Sequence, residues 1–140
     1  MTAKPTYLLD TNILLRFLTN DHPSHSAAAK KLFENAGSGK IGLRIPFIVI
    51  TETIFTLQSY YEIDREDIGR ELLKLLTAPG VTTTCPNWIL EAVEDYRTRN
   101  VSFGDACLAA EAKADQLSVA SFDRALDKFP ALKRHEPKTQ

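Results

Sequence analysis

The sequence has few cysteines, almost no net charge and no long apolar run, and each shortage excludes a class of protein. Among its 140 residues, the two cysteines Cys85 and Cys107 stand in no spacing typical of a metal site or a redox motif. We expect both to be reduced packing residues of a cytosolic protein. A formal net charge of −1 gives no overall positive field, so any nucleic-acid binding must use a local basic patch.

Membrane insertion and export are not predicted. The longest apolar stretch, IPFIVI at residues 45–50, is far too short to span a bilayer. The N-terminus, MTAKPTYLLD, lacks the basic-then-apolar order of a signal peptide. We therefore expect a cytoplasmic protein that does not associate with membranes.

Strand-like and helix-like segments alternate along the chain. Strands are predicted at residues 6–10 (buried), 41–45, 81–85 and 117–121. Helices are predicted from residue 11 or 12 and at 23–35, 47–61, 64–77, 86–99 and 103–114, with a short helical segment from 122 and a polar tail from 132. This order predicts an α/β fold, a three-layer α/β/α sandwich with a central, mainly parallel sheet. Without repeats or linkers, residues 1–140 are expected to form a single domain.

Four acidic residues follow this pattern in a way that predicts a common site. Asp10 ends the first strand, and Glu52 lies early in the helix after the second strand. Asp105 is in the first turn of the helix leading to the last strand, and Asp123 follows that strand. The carboxyl ends of parallel strands and the starts of the following helices share one edge of a sheet. We therefore expect all four carboxylates to face one crevice.

Three of these acids also have a purely structural interpretation. Asp10 could be a turn residue or a helix N-cap. Asp105 stands three residues after Ser102, which is the spacing of a capping box. Asp123 in a first helical turn is favoured by the helix dipole.

Glu52 resists a structural interpretation at this stage. Its helical neighbours Ile48 and Phe55 are apolar, and the opposite side of the helix is apolar too. This composition predicts a helix buried on most sides, where an unpaired carboxylate would cost several kcal/mol or change its pKa. A bound cation is the simplest partner. Oxygen ligands without Cys or His select Mg²⁺ or Mn²⁺, ions suited to attack on phosphate.

Four segments together resemble a known family. LLDTNILL (8–15), ITE (50–52), FGDACLAAEA (103–112) and SFDRAL (121–126) are similar to the four acidic motifs of PIN domains, in the form found in VapC toxins. The resemblance implies a Mg²⁺- or Mn²⁺-dependent endoribonuclease, the toxin of a type II toxin–antitoxin system. It also implies an RNA substrate, a homodimer and a VapB-type antitoxin that covers the site.

The resemblance assigns roles to particular residues. Asp10, Glu52, Asp105 and Asp123 would be the catalytic metal ligands, with Thr11, Asn12 and Ser121 orienting carboxylates. By position, and not by the resemblance, Arg16 and Arg124 are the best candidates for RNA phosphate contacts, because each lies within a turn or so of one of these acids. The alternative for each is a solvated surface residue. His22 and His25 are expected to be surface polar residues and not a metal site.

An apolar run on the first helix is a candidate docking surface for the partner. Leu14, Leu15, Phe17 and Leu18 stand on a short helix that is expected to be too narrow to bury all of them. An amphipathic partner helix could lie against the remainder.

Two other functions fit part of the pattern. An aspartyl-phosphate phosphohydrolase also places a nucleophilic Asp after its first strand, but one such class needs a second Asp where this chain has Asn12. A non-catalytic PIN-like binding module would keep the fold without the metal, although all four acids are present here. Binding of Mn²⁺ would separate this module from the enzyme.

Overall fold

The computed structural model describes residues 4–139. By its internal packing the chain divides into two compact units, residues 1–86 and residues 87–140, and each is described by itself. The prediction that residues 1–140 form a single domain stays a prediction.

The first unit alternates strands and helices. Its elements are β1 (Thr6–Leu8), α1 (Thr11–Leu18), α2 (Pro23–Gly37), β2 (Gly42–Pro46), α3 (Phe47–Ser59), α4 (Arg65–Leu76) and β3 (Val81–Thr84). The strands pair in the order β1-β2-β3, and both pairings are parallel, with Tyr7 opposite Leu43 and Arg44 opposite Thr82. Helices on a parallel sheet bury the central strand, and Leu43 and Ile45 of β2 are accordingly fully buried.

The second unit is mainly helical. It consists of α5 (Ile89–Thr98), α6 (Phe103–Asp115), β4 (Val119–Ala120), a short 3-10 helix (Arg124–Lys128) and β5 (Arg134–His135). The alanines of α6 let it pack closely on α5, where the rings of buried Tyr96 and Phe103 stand edge to face with 6.0 Å between their centroids. Strands β4 and β5 pair in parallel.

The predicted α/β class with parallel strands is confirmed, and most element boundaries agree within one to four residues. The burial predicted for residues 6–10 is wrong, because of these residues only Leu9 is buried. Within the described chain β1 stands at one end of its sheet, so β2 covers it on one side only. Helix α5 begins at Ile89 and not at Pro86, since residue 88 is its N-cap. The tail contains β5, which the sequence did not predict.

The apolar run on α1 is divided by the packing. Leu14 and Leu15 are buried, whereas Phe17 and Leu18 are half-buried. The Phe17 ring lies 4.2 Å from the Phe33 ring, centroid to centroid, so it joins the packing of α1 against α2. Docking of a partner helix on the half-buried part of this run stays a prediction.

Two further features bear on the expected class of protein. Cys85 and Cys107 are partly buried thiols that form no disulfide, and burial raises the pKa of the Cys85 thiol. None of the helices between residues 4 and 139 combines the length and the apolar character needed to cross a bilayer.

Candidate active site

Asp10 marks the start of helix α1. Its backbone is extended (φ −93°, ψ 171°), and its Oδ1 accepts a hydrogen bond from the Ile13 amide at 3.2 Å. Asp10 is therefore an N-cap, one of the two structural roles considered from the sequence. The side chain is exposed, and a carboxylate has a second oxygen to offer.

Thr11 connects the start of α1 to helix α3. Its hydroxyl donates to Glu52 Oε2 at 2.7 Å, across 41 residues of sequence. The fold thus places Glu52 beside the residue that follows Asp10. A donor fixed at this distance restricts the rotation of the Glu52 carboxylate, which is the kind of orientation expected of Thr11.

The burial expected for Glu52 is wrong. Glu52 is exposed, and its helical neighbours Ile48 and Phe55 are 61% and 71% exposed. The buried side of α3 is the other one, formed by Val49, Ile50, Thr53, Ile54 and Leu57. Because α3 is apolar nearly all round, composition alone could not show which stripe faces the core. Burial therefore does not force Glu52 to take a cation.

In the second unit, Asp105 lies in the first turn of α6. The N-cap of this helix is Ser102, whose Oγ accepts a hydrogen bond from the Asp105 amide at 3.0 Å. The predicted capping contact thus uses the backbone of Asp105. Its half-exposed carboxylate is not what caps the helix.

Asp123 caps the 3-10 helix that follows β4. Its Oδ1 accepts from the Ala125 amide at 2.9 Å, and its own amide donates to Ser121 Oγ at 2.9 Å. Ser121 therefore holds Asp123 through the backbone and does not touch its carboxylate in this contact. Arg124, the first residue of the 3-10 helix, is exposed.

A groove in the first unit borders the N-terminus of α1. It has a volume of about 500 Å³. Its lining consists of the N-cap Asp10, then Asn12, Ile13 and Arg16 of α1, and His25, Ala28, Ala29 and Leu32 of α2. Asn12 is exposed there. The groove is large enough to receive part of a ligand beside the Asp10 carboxylate.

Arg16 at this groove is held by an acid that the sequence did not single out. Asp21 accepts from Arg16 Nη1 and from the Thr19 hydroxyl, both at 2.9 Å, and from the Tyr61 hydroxyl at 2.7 Å. The bond from Tyr61, followed by that from Thr19, holds the pKa of Asp21 below its ordinary value. In turn, the bond to Asp21 raises the pKa of Tyr61. No spacing in the sequence indicates these contacts.

His22, which precedes α2, and His25 in its first turn contact each other. Their rings stack at 3.7 Å, and His22 Nδ1 accepts from the His25 amide at 3.2 Å, which makes His22 the N-cap of α2. This role suits the surface positions expected for them.

The acids divide between the units: Asp10 and Glu52 belong to the first, Asp105 and Asp123 to the second. Between residues 4 and 139, no three His, Cys, Asp or Glu side chains are grouped so that they could hold a metal ion. The four-residue ligand set stays a prediction. Its chemistry fits a hard divalent cation, because all donors are carboxylates and all are exposed or half-exposed.

Comparison with known proteins decides the family. The profile of the PIN domain matches residues 7–132, which is most of the chain. The chain belongs to the PIN domain family. The VapC ribonuclease of Aquifex aeolicus (strain VF5) is 30% identical to it over 123 residues, which cover 87% of this chain and 90% of that protein. These matches confirm the resemblance to VapC-type PIN domains and agree with the α/β fold.

Proposed function

We propose that this PIN domain is a Mg²⁺- or Mn²⁺-dependent endoribonuclease that acts as the toxin of a type II toxin–antitoxin system. The observation that carries the proposal is the Thr11–Glu52 hydrogen bond directly after Asp10, since it orients one acidic motif beside another. The similarity to a VapC ribonuclease supports RNA as the substrate.

The proposed ligands of the divalent ion are Asp10, Glu52, Asp105 and Asp123. Such an ion would supply an activated water and offset negative charge on the phosphodiester. Two of the acids are held by hydrogen bonds, Asp10 by the cap of α1 and Glu52 by Thr11. Fixed carboxylates lose less side-chain entropy when they bind a cation than freely rotating ones do.

Arg16 and Arg124 are the proposed phosphate contacts. Arg16 is the better placed of the two, because it lines the same groove as Asp10 and is braced by Asp21. A braced guanidinium can still offer its remaining donors to a phosphate oxygen, since it has five in all.

The family relationship also supports three statements about how the protein works in its host. We propose that it forms a homodimer, that a VapB-type antitoxin binds it and covers the acidic residues, and that it acts in the cytoplasm. An uninhibited ribonuclease of this kind would be toxic to its host, so an inhibitory partner is required.

The test is cleavage of a defined structured RNA by the purified protein. EDTA should abolish cleavage, and added Mg²⁺ or Mn²⁺ should restore it. Asp10→Asn and Glu52→Gln should each lower the rate by at least about 100-fold, because loss of a ligand should cost no less than the upper range for residues that only orient one. Glu34→Gln, which changes an exposed acid on α2, is the matched control and should keep full activity. Full cleavage in EDTA, or by Asp10→Asn, would contradict the proposal.

A further inference from the structure

The guanidinium of Arg134 on β5 donates four hydrogen bonds. Its Nε and Nη2 donate to the two carboxylate oxygens of Asp127 at 3.0 and 3.3 Å. Its Nη1 donates to the Ser121 carbonyl at 3.1 Å and to Glu136 Oε1 at 3.0 Å. The Arg134 side chain is only 13% exposed. Its position lies beyond the family match, which ends at residue 132.

These contacts hold both ends of the turn that carries Asp123. Ser121 begins the turn, and Asp127 is in the 3-10 helix that Asp123 caps. The backbone of Ser121 is tied to β5 twice, because its carbonyl accepts from Arg134 and its amide donates to the His135 carbonyl at 3.0 Å. The C-terminal strand therefore fixes the segment from two sides.

The chemistry of the pair favours a fixed geometry. A bidentate bond between a planar guanidinium and a carboxylate specifies orientation as well as distance, which a lysine cannot reproduce. The hydrogen bond from Arg134 lowers the pKa of Asp127, so this carboxylate stays charged across the neutral range. Low exposure of the Arg134 side chain limits competition from water.

We propose that Arg134 is a positioning residue that orders the turn from Ser121 to Asp127 and so orients the Asp123 carboxylate. Its value for metal binding rests on the proposed function, in which Asp123 is a ligand. The ordering of the turn itself does not depend on any ion.

The experiment compares Arg134→Gln, Arg134→Lys and Lys133→Gln, the last being a neighbouring exposed cation as control. The first readout is amide hydrogen exchange in metal-free protein at Ser121, Asp123 and Ala125, whose amides make the bonds of the turn. Arg134→Gln should speed exchange at these amides at least tenfold, Arg134→Lys should do so less, and Lys133→Gln should leave it unchanged.

The second readout is Mn²⁺ affinity by calorimetry without RNA. Arg134→Gln should weaken it about 10-fold, the lower range for residues that orient a ligand. The same change made in an Asp123→Asn background should have no further effect, because the ligand that Arg134 orients is already gone. Wild-type protein that bound no Mn²⁺ would contradict the proposed function, and the exchange data would still decide whether Arg134 orders the turn.

A purely structural role gives a different pattern. Arg134→Gln would then lower the melting temperature and speed exchange throughout the second unit, without a preference for the three turn amides. That result, or unchanged exchange at those amides, would overturn the inference. If Arg134→Gln does not fold, Asp127→Asn replaces it in the experiment. This variant removes the bidentate acceptor by changing the more exposed partner of the pair, and it should speed exchange at the same three amides.

Discussion

Asp10 caps helix α1 with one carboxylate oxygen, while the exposed side chain retains a second. An N-cap role and a ligand role are therefore compatible on one residue, although from the sequence they are alternatives. Asparagine caps a helix as well as aspartate does but carries no charge. Asp10→Asn thus separates the two roles, which a change to alanine cannot do.

Asp21 and Tyr61 form a hydrogen bond although they are 40 residues apart in the sequence, and neither belongs to one of the acidic motifs. The hydrogen bond from Tyr61 to Asp21 joins the segment after α3 to the segment between α1 and α2. It also favours the charged form of Asp21 and the neutral form of Tyr61. Stability should therefore depend on pH at both ends of the scale.

The alkaline side gives the sharper prediction. Because the folded state raises the pKa of Tyr61, it keeps a proton that the unfolded chain releases above the ordinary value of about 10. The stabilisation by Tyr61 is complete below that pH and is lost as the pH rises through the folded-state pKa. Urea unfolding of wild type and Tyr61→Phe should differ at pH 8, and the difference should shrink as the pH rises beyond about 10.

Tyr60→Phe is the matched control for this series, since the neighbouring Tyr60 ring is 77% exposed. Its difference from wild type at pH 8 should be small. A Tyr61→Phe difference that does not change with pH would show that the Tyr61–Asp21 bond does not contribute to folding. The contribution of Asp21 to stability depends on pH in the opposite direction. It is present above about pH 4 and is lost as the pH falls through the lowered pKa of Asp21.

At the scale of elements, the sequence predicted well where local signals mark the ends. Pro23 opens α2 and residues 37–40 end it, while Pro79 and Gly80 separate α4 from β3. These residues act through fixed or permissive backbone angles, which need no tertiary context. The parallel sheet followed from the alternation of strands with helices.

Predictions from the sequence failed where tertiary packing determines the structure. Helix α3 is apolar nearly all round, so its composition predicted a buried Glu52 that is in fact exposed. Strand β5 is two residues long and polar, and it forms because its backbone pairs with β4. The Thr11–Glu52 and Arg134–Asp127 bonds depend on which elements come together. A single sequence does not contain that information in any local pattern.

Gly80 offers a test of one element boundary. It has φ +80°, and a Cβ placed on it would lie 2.3 Å from the Ala36 carbonyl oxygen, backbone that cannot easily move. Gly80→Ala should lower the free energy of unfolding by more than about 1–2 kcal/mol, the cost of the left-handed conformation alone. Urea unfolding measures the difference.

Gly37→Ala is the control for this substitution. Gly37 is the last residue of α2, and a Cβ there would meet nothing within 4 Å. Alanine should therefore be neutral or stabilising by up to about 1 kcal/mol, since it favours a helix more than glycine does. Equal losses at both positions would mean that the contact between Gly80 and Ala36 does not set the boundary.

At the scale of the whole molecule, the proposed ligands belong to segments far apart in the sequence, from Asp10 to Asp123. An ion that binds only the folded chain stabilises it by RT ln(1 + [L]/Kd), which is about 2.7 kcal/mol at a hundredfold excess over Kd. Carboxylates held near one another without a cation also repel, so neutralising one of them can stabilise the metal-free protein. Metal-linked stability therefore reports on the ligand set independently of RNA cleavage.

We expect Mn²⁺ to raise the melting temperature of the wild-type protein by several degrees at a concentration about a hundredfold above Kd. Asp10→Asn should lose most of this rise while melting at the same temperature as wild type, or higher, in EDTA, because asparagine keeps the cap of α1 without the charge. Asp105→Asn should lose the rise as well, and Glu34→Gln should keep it. Differential scanning calorimetry with and without Mn²⁺ makes the measurement.

A wild-type protein that does not respond to Mn²⁺ would favour a binding module that has kept the fold without the ion. A loss of the rise in Asp10→Asn but not in Asp105→Asn would remove Asp105 from the ligand set.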